Sequence, residues 1–539
     1  MPSRPDSNAP ADSRDASPAS PDLDARVRDA IALLEGIAAG RDQLLDVAES
    51  QRNRLLRAAG EVSRPDAITR RQLVKATKRL KKSQRRERVI EAEAQLTETG
   101  IRQLRRQTVF TTPNYFLPAS DKQETVDADP DFREALEPQH CYTCKREFNV
   151  LHHFYDQLCP SCAAFNFAKR GELADLRGRV ALLTGGRVKI GYQAGIKLLR
   201  AGAHLIVTTR FPRDSAMRYA AEPDFADWGN RLEIFGLDLR HTPSVEAFCQ
   251  QLVTSHDRLD FIVNNACQTV RRPPDFYRHM MDIETAAIGS MAEHVRKLVG
   301  AYEGVRGYDM LPGSDGASDS ASPLAPTALE RSIGEIPGLT HAAVLSQVPL
   351  LADEVRARAH LFPEGRLDQD LQQVDLRDRN SWRLLMHEVP AVELLEVQLV
   401  NAVAPFLINA RLKPLMMRTP ERDKHIVNVS AVEGQFYRRY KTTRHPHTNM
   451  AKAALNMMTR TSAADYFNDG IHMNSVDTGW VTDEDPVEIA ARKVAEHRFH
   501  PPLDIVDGAA RIVDPIIDGI NSGKHVWGQF LKDYKPTDW

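Results

Sequence analysis

The spacing of apolar residues divides the chain into an N-terminal helical part and a C-terminal part of alternating strands and helices. Apolar side chains recur every three or four residues from Leu23 onwards, which predicts an amphipathic helix that ends near Gly60. A turn at residues 64–66 separates it from a second helix that is predicted to reach about Arg106. We therefore expect a helical hairpin or coiled coil over residues 23–110.

The pattern changes at about residue 176, where short apolar runs alternate with helical spacing. Val180–Thr184 is predicted as a buried strand, a glycine-containing turn follows, and a helix begins near Ile190. His204–Thr208 is the next predicted strand. This order of strand, turn, helix and strand predicts an α/β fold with a doubly wound parallel sheet, and we assign it residues 176–539.

Composition narrows the class of protein. Residues 1–22 are mainly Pro, Ser, Asp and Ala and are predicted to be a disordered tail. Apolar residues form 42% of the 539 residues and charged residues 27%, a mixture typical of soluble globular proteins. The start of the chain does not resemble a signal peptide, and the sequence contains no run of about 20 apolar residues. We therefore predict a cytoplasmic protein that does not associate with membranes.

The second predicted helix is rich in basic residues, but this alone is weak support for nucleic-acid binding. Residues 70–89 carry Lys or Arg on almost every face, which is compatible with either a polyphosphate contact or a solvated helix surface. The formal net charge of the chain is −2, and the basic run lacks interleaved aromatic residues for base stacking. We favour the solvated surface and predict no nucleic-acid partner.

Four of the six cysteines form two CxxC pairs separated by fourteen residues. Each pair presents two thiolates from one tight turn, and an intervening hairpin brings the pairs together around a tetrahedral ion. A site closed by four thiolates leaves no open position for catalysis, so the predicted role of the metal is structural. We therefore predict a zinc-ribbon-like module at residues 136–170 that binds Zn²⁺ through Cys141, Cys144, Cys159 and Cys162.

Seven landmarks occur in the order found in one large enzyme family. The turn after the first strand is similar to TGxxxGxG, with Lys189 in place of the middle glycine. The later landmarks are Asp238-Leu239, the NNA run at residues 264–266, an asparagine in LVNAVAPF, the strand Ile426–Ser430, a lysine in NMAKAALN, and VDTGWVTD. Together they resemble the short-chain dehydrogenase/reductase family, which implies a Rossmann fold that binds a nicotinamide dinucleotide.

The resemblance and the chemistry of the first turn define a set of candidate cofactor residues. Glycines allow close approach of a pyrophosphate to the amides at a helix N-terminus. Lys189 is expected either to pair with a phosphate or to narrow the site. Arg210 stands where an acidic residue would accept the ribose hydroxyls of NAD, so we predict NADP(H) over NAD(H); the alternative is that Arg187 and Arg210 are solvated at a strand edge. The predicted cofactor-binding residues are Thr184, Gly185, Arg187, Lys189, Ile190, Gly191, Arg210, Asp238, Leu239, Asn265, Ala266, Lys452, Gly479 and Thr482.

The catalytic pattern of the family is incomplete. In the family a tyrosine four residues before the lysine donates the proton, a serine orients the carbonyl, and an asparagine holds a water in the relay. Here the tyrosine position is Thr448, whose hydroxyl has no accessible pKa for this task, and the serine position is Ala431. The predicted catalytic residues are Asn401, Lys452, Ser430 and one displaced acid, Tyr440 or His447.

The interval between Asn265 and Asn401 is about one hundred residues longer than the family needs, so we predict an inserted segment at about 276–385. It is expected to contain helices at Asp282–Tyr302 and Thr327–His360 and to act as a lid, a partner surface or a mere decoration. The resemblance leaves self-association open, because the family pairs subunits through the helices that carry Asn401 and Lys452. The helical hairpin is a second surface for self-association or for a protein partner.

The function predicted from these features is NADP(H)-dependent oxidoreductase activity on a carbonyl or alcohol substrate that the sequence does not identify. The alternative is a catalytically degenerate protein that binds NADP(H) and acts as a sensor or scaffold through partners.

Overall fold

A computed structural model of the chain describes residues 21–113, 134–305, 341–351, 354, 359–437, 441–482 and 484–539. The chain divides into two compact units, with the boundary between Ile90 and Glu91. The first twenty residues of the predicted disordered tail lie outside the described residues, and Pro21 already belongs to a helix.

The N-terminal unit contains helices where the sequence predicted helices, but their number differs from the prediction. Helix α1 is Pro21–Ala39, α2 is Glu49–Ser63, and α3, Ala67–Thr97, begins in this unit. The first break falls at Gly40, and Gly60 does not end a helix, because α2 continues until Pro65 restricts the backbone of the residue before it. Within residues 23–90 Leu44 is the one buried residue, so no seam of a hairpin is seen here.

The C-terminal unit begins with the end of α3 and a small α+β region. Helix α4 is Gly100–Leu104, strands β1 (Glu134–His140) and β2 (Glu147–Val150) pair as an antiparallel hairpin, and α5 is Pro160–Gly171. The first CxxC pair lies in the turn of the hairpin, and the second lies at the start of α5.

A twisted parallel sheet forms the centre of this unit, as the sequence predicted. Its strands are β3 (Val180–Thr184), β4 (His204–Thr209), β5 (Leu232–Gly236), β6 (Phe261–Asn264), β7 (Lys424–Ser430), β8 (Ile471–Asp477), β9 (Phe530–Lys532) and β10 (Lys535–Thr537). Their order is β10-β9-β8-β7-β6-β3-β4-β5, and every neighbouring pair is parallel except β9 with β10. The chain order reverses beside β3, which is where doubly wound folds bind ligands.

Helices cover both faces of the sheet because its strands are apolar on both sides. Helices α6 (Lys189–Arg200) and α18 (Ile505–Ser522) pack in one core, and α9 (Thr242–Ser255), α15 (Ala404–Met416) and α16 (Pro446–Asn468) pack in the other. Shorter helices surround them: α7 (Pro212–Ala220), α8 (Phe225–Trp228), α14 (Ala391–Gln398) and α17 (Val487–His497).

The inserted segment packs beside β5 and differs from the predicted pair of long helices. Its described helices are α10 (Pro274–Thr285), α11 (Glu293–Leu298), α12 (Gly300–Val305) and α13 (Ala342–Leu345). The predicted helix Asp282–Tyr302 is therefore interrupted, with glycines at positions 289 and 300 near the breaks. Most of the predicted helix Thr327–His360 lies outside the described residues, and in the described stretch 341–351 the helix has four residues.

One helical segment is long and apolar enough to cross a membrane. It comprises α14, a π-helical turn at Leu399–Val403 and α15, and spans Ala391–Met416. Almost half of its most apolar window is buried inside the protein, and its residues Val400, Ile408 and Leu412 belong to the core beneath the sheet. Burial in the core therefore accounts for part of its apolar composition, whereas Leu395 and Phe406 are exposed.

Candidate functional site

The turn after β3 has the geometry of a phosphate-binding cradle. Gly185 has φ +70°, and a Cβ atom on Gly191 would lie 2.2 Å from the Gly185 carbonyl oxygen and 2.4 Å from Asn265 Nδ2. Asn265 Nδ2 donates to the carbonyl oxygens of Thr184 and Gly185, both at 3.1 Å, and the Ala266 amide donates to Thr184 Oγ1 at 3.0 Å. The five predicted residues therefore form one unit at the N-terminus of α6, where backbone amides favour anions.

Lys189 is the first residue of α6 and has φ +55°, in the left-handed region. Burial lowers the pKa of its ammonium group, but the carboxylates of Glu484 and Asp370 outweigh burial and raise that pKa above its ordinary value. Lys189 is thus a charged group at the entrance to the cradle. Its acidic neighbours are not part of the family motif, so the sequence did not predict them. Ile190 behind it packs against Gly508 and holds the turn to α18.

Arg187 and Arg210 both lie close to the Phe211 ring, with guanidinium carbons 5.6 and 5.7 Å from its centroid. Arg187 Nη1 donates to Asp214 Oδ2 at 2.8 Å, and Arg210 Nη2 donates to the Tyr277 hydroxyl at 2.5 Å. The structure brings the two predicted arginines together but also supplies both with partners. The charge of Arg187 is balanced by Asp214, whereas Arg210 has a neutral partner.

Tyr277, on α10 of the insertion, completes this cationic cluster. Burial raises the pKa of its phenol, but Arg210 and Arg272 outweigh burial, so the pKa lies below its ordinary value. The phenol therefore reports a strongly positive surrounding. Neither Tyr277 nor Arg272 belongs to the family landmarks found in the sequence.

The insertion also covers the cradle through residues 366–374. Gln372 Oε1 accepts from Arg187 Nη2 at 3.4 Å, and Arg218 donates to the carbonyl oxygens of Asp370 and Leu371 at 3.0 and 2.9 Å. Burial raises the pKa of the Asp370 carboxyl group, and Lys189 opposes that shift. Residues 366–374 therefore lie over the positively charged end of the cradle and bring the Asp370 carboxylate to it.

Asp238 and Leu239 follow β5, and both are buried. Burial raises the pKa of Asp238, but Arg240 outweighs it through an ion pair of 2.6 Å and keeps that pKa below its ordinary value. Leu239 belongs to the apolar core on the side of α9. The Asp238 carboxylate therefore already has an ion-pair partner, Arg240, within the chain.

Asn401 lies in the π-helical turn between α14 and α15 and positions the chain after β6. Its Nδ2 donates to the Gln268 carbonyl oxygen at 3.1 Å, and its Oδ1 accepts from the Gln268 amide at 2.7 Å. Both the nitrogen and the oxygen of the Asn401 side-chain amide are thus hydrogen-bonded to the backbone of Gln268. This contact fixes the strand end that carries Asn265 and Ala266.

Lys452, Ser430 and Thr448 converge at the carboxyl end of β7. Lys452 is buried, and its Nζ donates to the carbonyl oxygen of Val429 at 2.7 Å, next to Ser430. Thr448 lies one helical turn before Lys452 on the same face of α16. The hydroxyl groups of Ser430 and Thr448 are buried and have no hydrogen-bond partner within the described part of the chain.

His447, one of the two predicted displaced acids, does not join this group. His447 belongs to the first turn of α16 and not to a loop as predicted, and its Nε2 lies 3.3 Å from Glu393 Oε1 on α14. Adjacent positions of a helix are rotated by about 100°, so His447 does not share the face of Lys452. Tyr440 lies outside the described residues, and its role stays a prediction.

The VDTGWVTD segment forms the loop after β8. Gly479 has φ +76°, and Thr482 Oγ1 donates to Glu484 Oε1 at 2.8 Å. The amide of Trp480 donates to the hydroxyl of Tyr142 at 3.0 Å. Tyr142 stands between the first two cysteines, so the cysteine module contacts the predicted cofactor loop directly.

The four predicted metal ligands form one cluster. The Sγ atoms of Cys141, Cys144, Cys159 and Cys162 all lie within 4.8 Å of one another, and Cys144 and Cys159 are 3.6 Å apart. Cys141 and Cys159 are buried in an apolar cluster with Leu503 and residues of α18. A tetrahedral zinc ion with bonds of about 2.3 Å needs sulfur atoms at about this separation, so the cluster fits Zn²⁺.

Comparisons with known proteins give the family of the α/β domain. A sequence model described as short chain dehydrogenase matches residues 179–298, and one described as enoyl-(acyl carrier protein) reductase matches residues 380–500. The unmatched interval corresponds to most of the insertion. Over these two ranges the chain matches the short-chain dehydrogenase/reductase family. Thr448 and Ala431 stand where the resemblance led us to expect the tyrosine and serine of that family.

Individual relatives are distant or match only part of the chain. An uncharacterized protein of Acanthamoeba polyphaga mimivirus is 29% identical over 405 residues, which are 73% of this chain and 74% of that protein. A fatty acyl-CoA reductase of Acinetobacter baylyi is 32% identical over 98 residues, 18% of this chain and 32% of the reductase. A solved dehydrogenase/reductase from Sinorhizobium meliloti is 16% identical and covers 68% of this chain and 97% of its own, with a TM-score of 0.39. The family assignment rests on the sequence matches.

Proposed function

We propose that this short-chain dehydrogenase/reductase is an oxidoreductase that uses NADP(H) and acts on a carbonyl or alcohol substrate. The observation that carries the proposal is the cradle at Gly185 and Gly191, where added Cβ atoms would fill the space in which backbone and ligand approach each other. Family membership supports the activity, and the cradle supports the cofactor.

The preference for NADP(H) is supported by the charges around Tyr277. Arg210 has a neutral hydroxyl partner, and Arg187 and Arg272 lie close enough to lower the pKa of the same phenol. Asp214 and Asp375 pair with Arg187 and Arg272, so Arg210 is the arginine of this cluster whose described partner is uncharged, and such a partly buried charge favours an anionic ligand. The 2′-phosphate of NADP(H) is dianionic and fits the fork of Arg210.

The bound nicotinamide supplies or accepts the hydride, and the chain's own groups hold the reacting oxygen. Lys452 is a buried ammonium group whose one described contact is the Val429 carbonyl oxygen, so it favours negative charge nearby. The unpartnered hydroxyl groups of Ser430 and Thr448 are placed to hydrogen-bond a substrate oxygen there. Asn401 acts as a positioning residue because it fixes Gln268 at the end of β6.

Titration with NADPH and NADH tests the cofactor proposal, with the change in nicotinamide fluorescence as readout. We expect NADPH to bind at least ten-fold more tightly than NADH, and the Arg210→Ala variant to lose most of that preference while it still binds NADH. Arg296→Ala removes an exposed arginine on α11 and serves as the matched control. Equal affinity for the two dinucleotides in the unmodified protein would refute the NADP(H) assignment.

Turnover separates the enzyme from a sensor or scaffold. In a screen of aldehydes and ketones we expect NADPH oxidation by the native protein and none by Lys452→Met. The Tyr440→Phe variant tests the remaining candidate acid in the same assay. NADPH binding without oxidation of NADPH across the screen would favour the sensor instead.

We further propose that the cysteine cluster holds a structural Zn²⁺. The cluster closes the β1–β2 hairpin onto α5, and its apolar neighbours attach the module to α18. Metal analysis of the purified protein should give one zinc per chain, and Cys144→Ser should lower that content and the thermal midpoint together. A full zinc content in a variant that lacks both Cys141 and Cys144 would exclude this site.

A further inference from the structure

A cationic groove of about 600 Å³ lies between residues 378–383, Arg444 and helix α17. This volume is within the range of small-molecule sites, about 300 to 1,000 Å³. Five of the lining side chains are cationic, and two, Asp378 and Glu496, are acidic. The cationic residues are Arg379, Arg383, Arg444, Arg492 and Lys493.

Part of this positive charge is balanced by carboxylates. Arg383 and Lys493 share the buried carboxylate of Asp485, and Arg379 pairs with Glu388. Arg444 Nη1 donates to the Arg383 carbonyl oxygen at 2.9 Å, and no carboxylate in the described ranges pairs with Arg444 or Arg492. The guanidinium groups of Arg444 and Arg492 therefore line the groove without a carboxylate partner among the described residues.

The groove adjoins the proposed catalytic centre and is separate from the cofactor cradle. The Trp382 ring stacks on the His445 ring, with centroids 3.8 Å apart, and His445 precedes the helix that carries Thr448 and Lys452. Helix α17 follows the loop that contains Gly479. None of the cradle residues lines the groove.

We propose that this groove binds a phosphate group of the substrate, with Arg444 and Arg492 as its principal ligands. This inference rests on the proposed oxidoreductase function, because it places the anionic end of the substrate beside the reacting centre. Arginine forks match phosphate oxygens in pairs of parallel hydrogen bonds, and several convergent cations favour a dianion over a monoanion. The groove is open to solvent, so the interaction weakens as salt rises.

Calorimetric titration with inorganic pyrophosphate tests the proposal without a known substrate. We expect binding by the native protein that weakens at least ten-fold in Arg444→Gln/Arg492→Gln and persists in Arg296→Gln. The Gly191→Ala variant, which closes the cofactor cradle, should retain the binding, which distinguishes the groove from the cradle. The double variant should also keep native NADPH affinity and thermal midpoint.

Three outcomes would overturn the inference. They are no binding of pyrophosphate by the native protein, equal binding by the double variant, and loss of binding in Gly191→Ala alone. Citrate that binds more tightly than pyrophosphate would point to a carboxylate ligand and would also overturn it. NADPH titration of the same samples reports separately on the proposed cofactor function, so failure of one does not imply failure of the other.

Discussion

A buried polar network beneath the proposed site provides a sharp test of the packing. Asn428 Oδ1, on β7, accepts from Asn264 Nδ2 at 2.9 Å and from Asn409 Nδ2 at 3.3 Å, and Asn428 Nδ2 donates to Thr459 Oγ1 at 2.9 Å. All four residues are almost completely buried. Replacement of Asn428 by leucine keeps similar volume but removes all three hydrogen bonds. We therefore expect the loss of stability to come from the lost hydrogen bonds and not from a cavity.

The size of the effect follows from these three contacts. Each net hydrogen bond contributes about 1 kcal/mol, and the Asn409 amide group left without an acceptor adds about 1 to 3 kcal/mol. Leucine regains part of this through apolar burial, so we expect Asn428→Leu to lower the free energy of unfolding by about 3 to 5 kcal/mol. Urea unfolding followed by circular dichroism measures the change, provided that the slope with urea stays constant.

The chain offers a matched control four residues after Lys452. Asn456 on α16 is equally buried, but neither atom of its amide group has a hydrogen-bond partner among the described residues. Asn456→Leu removes no hydrogen bond, so we expect a change within about 1 kcal/mol. Equal destabilisation by the two substitutions would refute the assignment of stability to the hydrogen-bond network.

Three further predictions follow from single positions. Gly191→Ala should abolish NADPH binding in the fluorescence titration, because its Cβ would displace Gly185 by more than an ångström; unchanged affinity would contradict the cradle. Asp370→Asn should raise NADPH affinity several-fold, because the diphosphate then competes with one carboxylate fewer for Lys189; weaker binding would show that Asp370 supports the site. Burial lowers the pKa of His472 to about 4, so its stabilising contribution is complete above about pH 6.5 and is lost as pH falls towards 4; His472→Leu should flatten this part of the unfolding profile.

The sequence predicted the parts of the site that repeat a family pattern or a local period. Strand β3 and the cradle were predicted because glycines and an apolar run are local signals, and the Cys141–Cys162 cluster was predicted because ligand spacing is itself informative. The electrostatic interaction between Asp370 and Lys189 was not predictable, since it joins the insertion to the cradle across 181 residues. Helix breaks such as Gly40 were missed because a glycine is tolerated in some helices, as at Gly60 in α2.

The hydrogen bond from the Trp480 amide to the Tyr142 hydroxyl connects two sites that the sequence predicted separately, the cysteine cluster and the cofactor loop. Tyr142 lies within the first CxxC turn, and Trp480 follows Gly479 in the proposed cofactor loop. Coupling between two sites is reciprocal, so if the proposed ion raises the affinity for the proposed dinucleotide, the dinucleotide raises the affinity for the ion by the same factor. If both proposed sites are occupied as we propose, oxidation of the thiolates is expected to change the affinity for the dinucleotide.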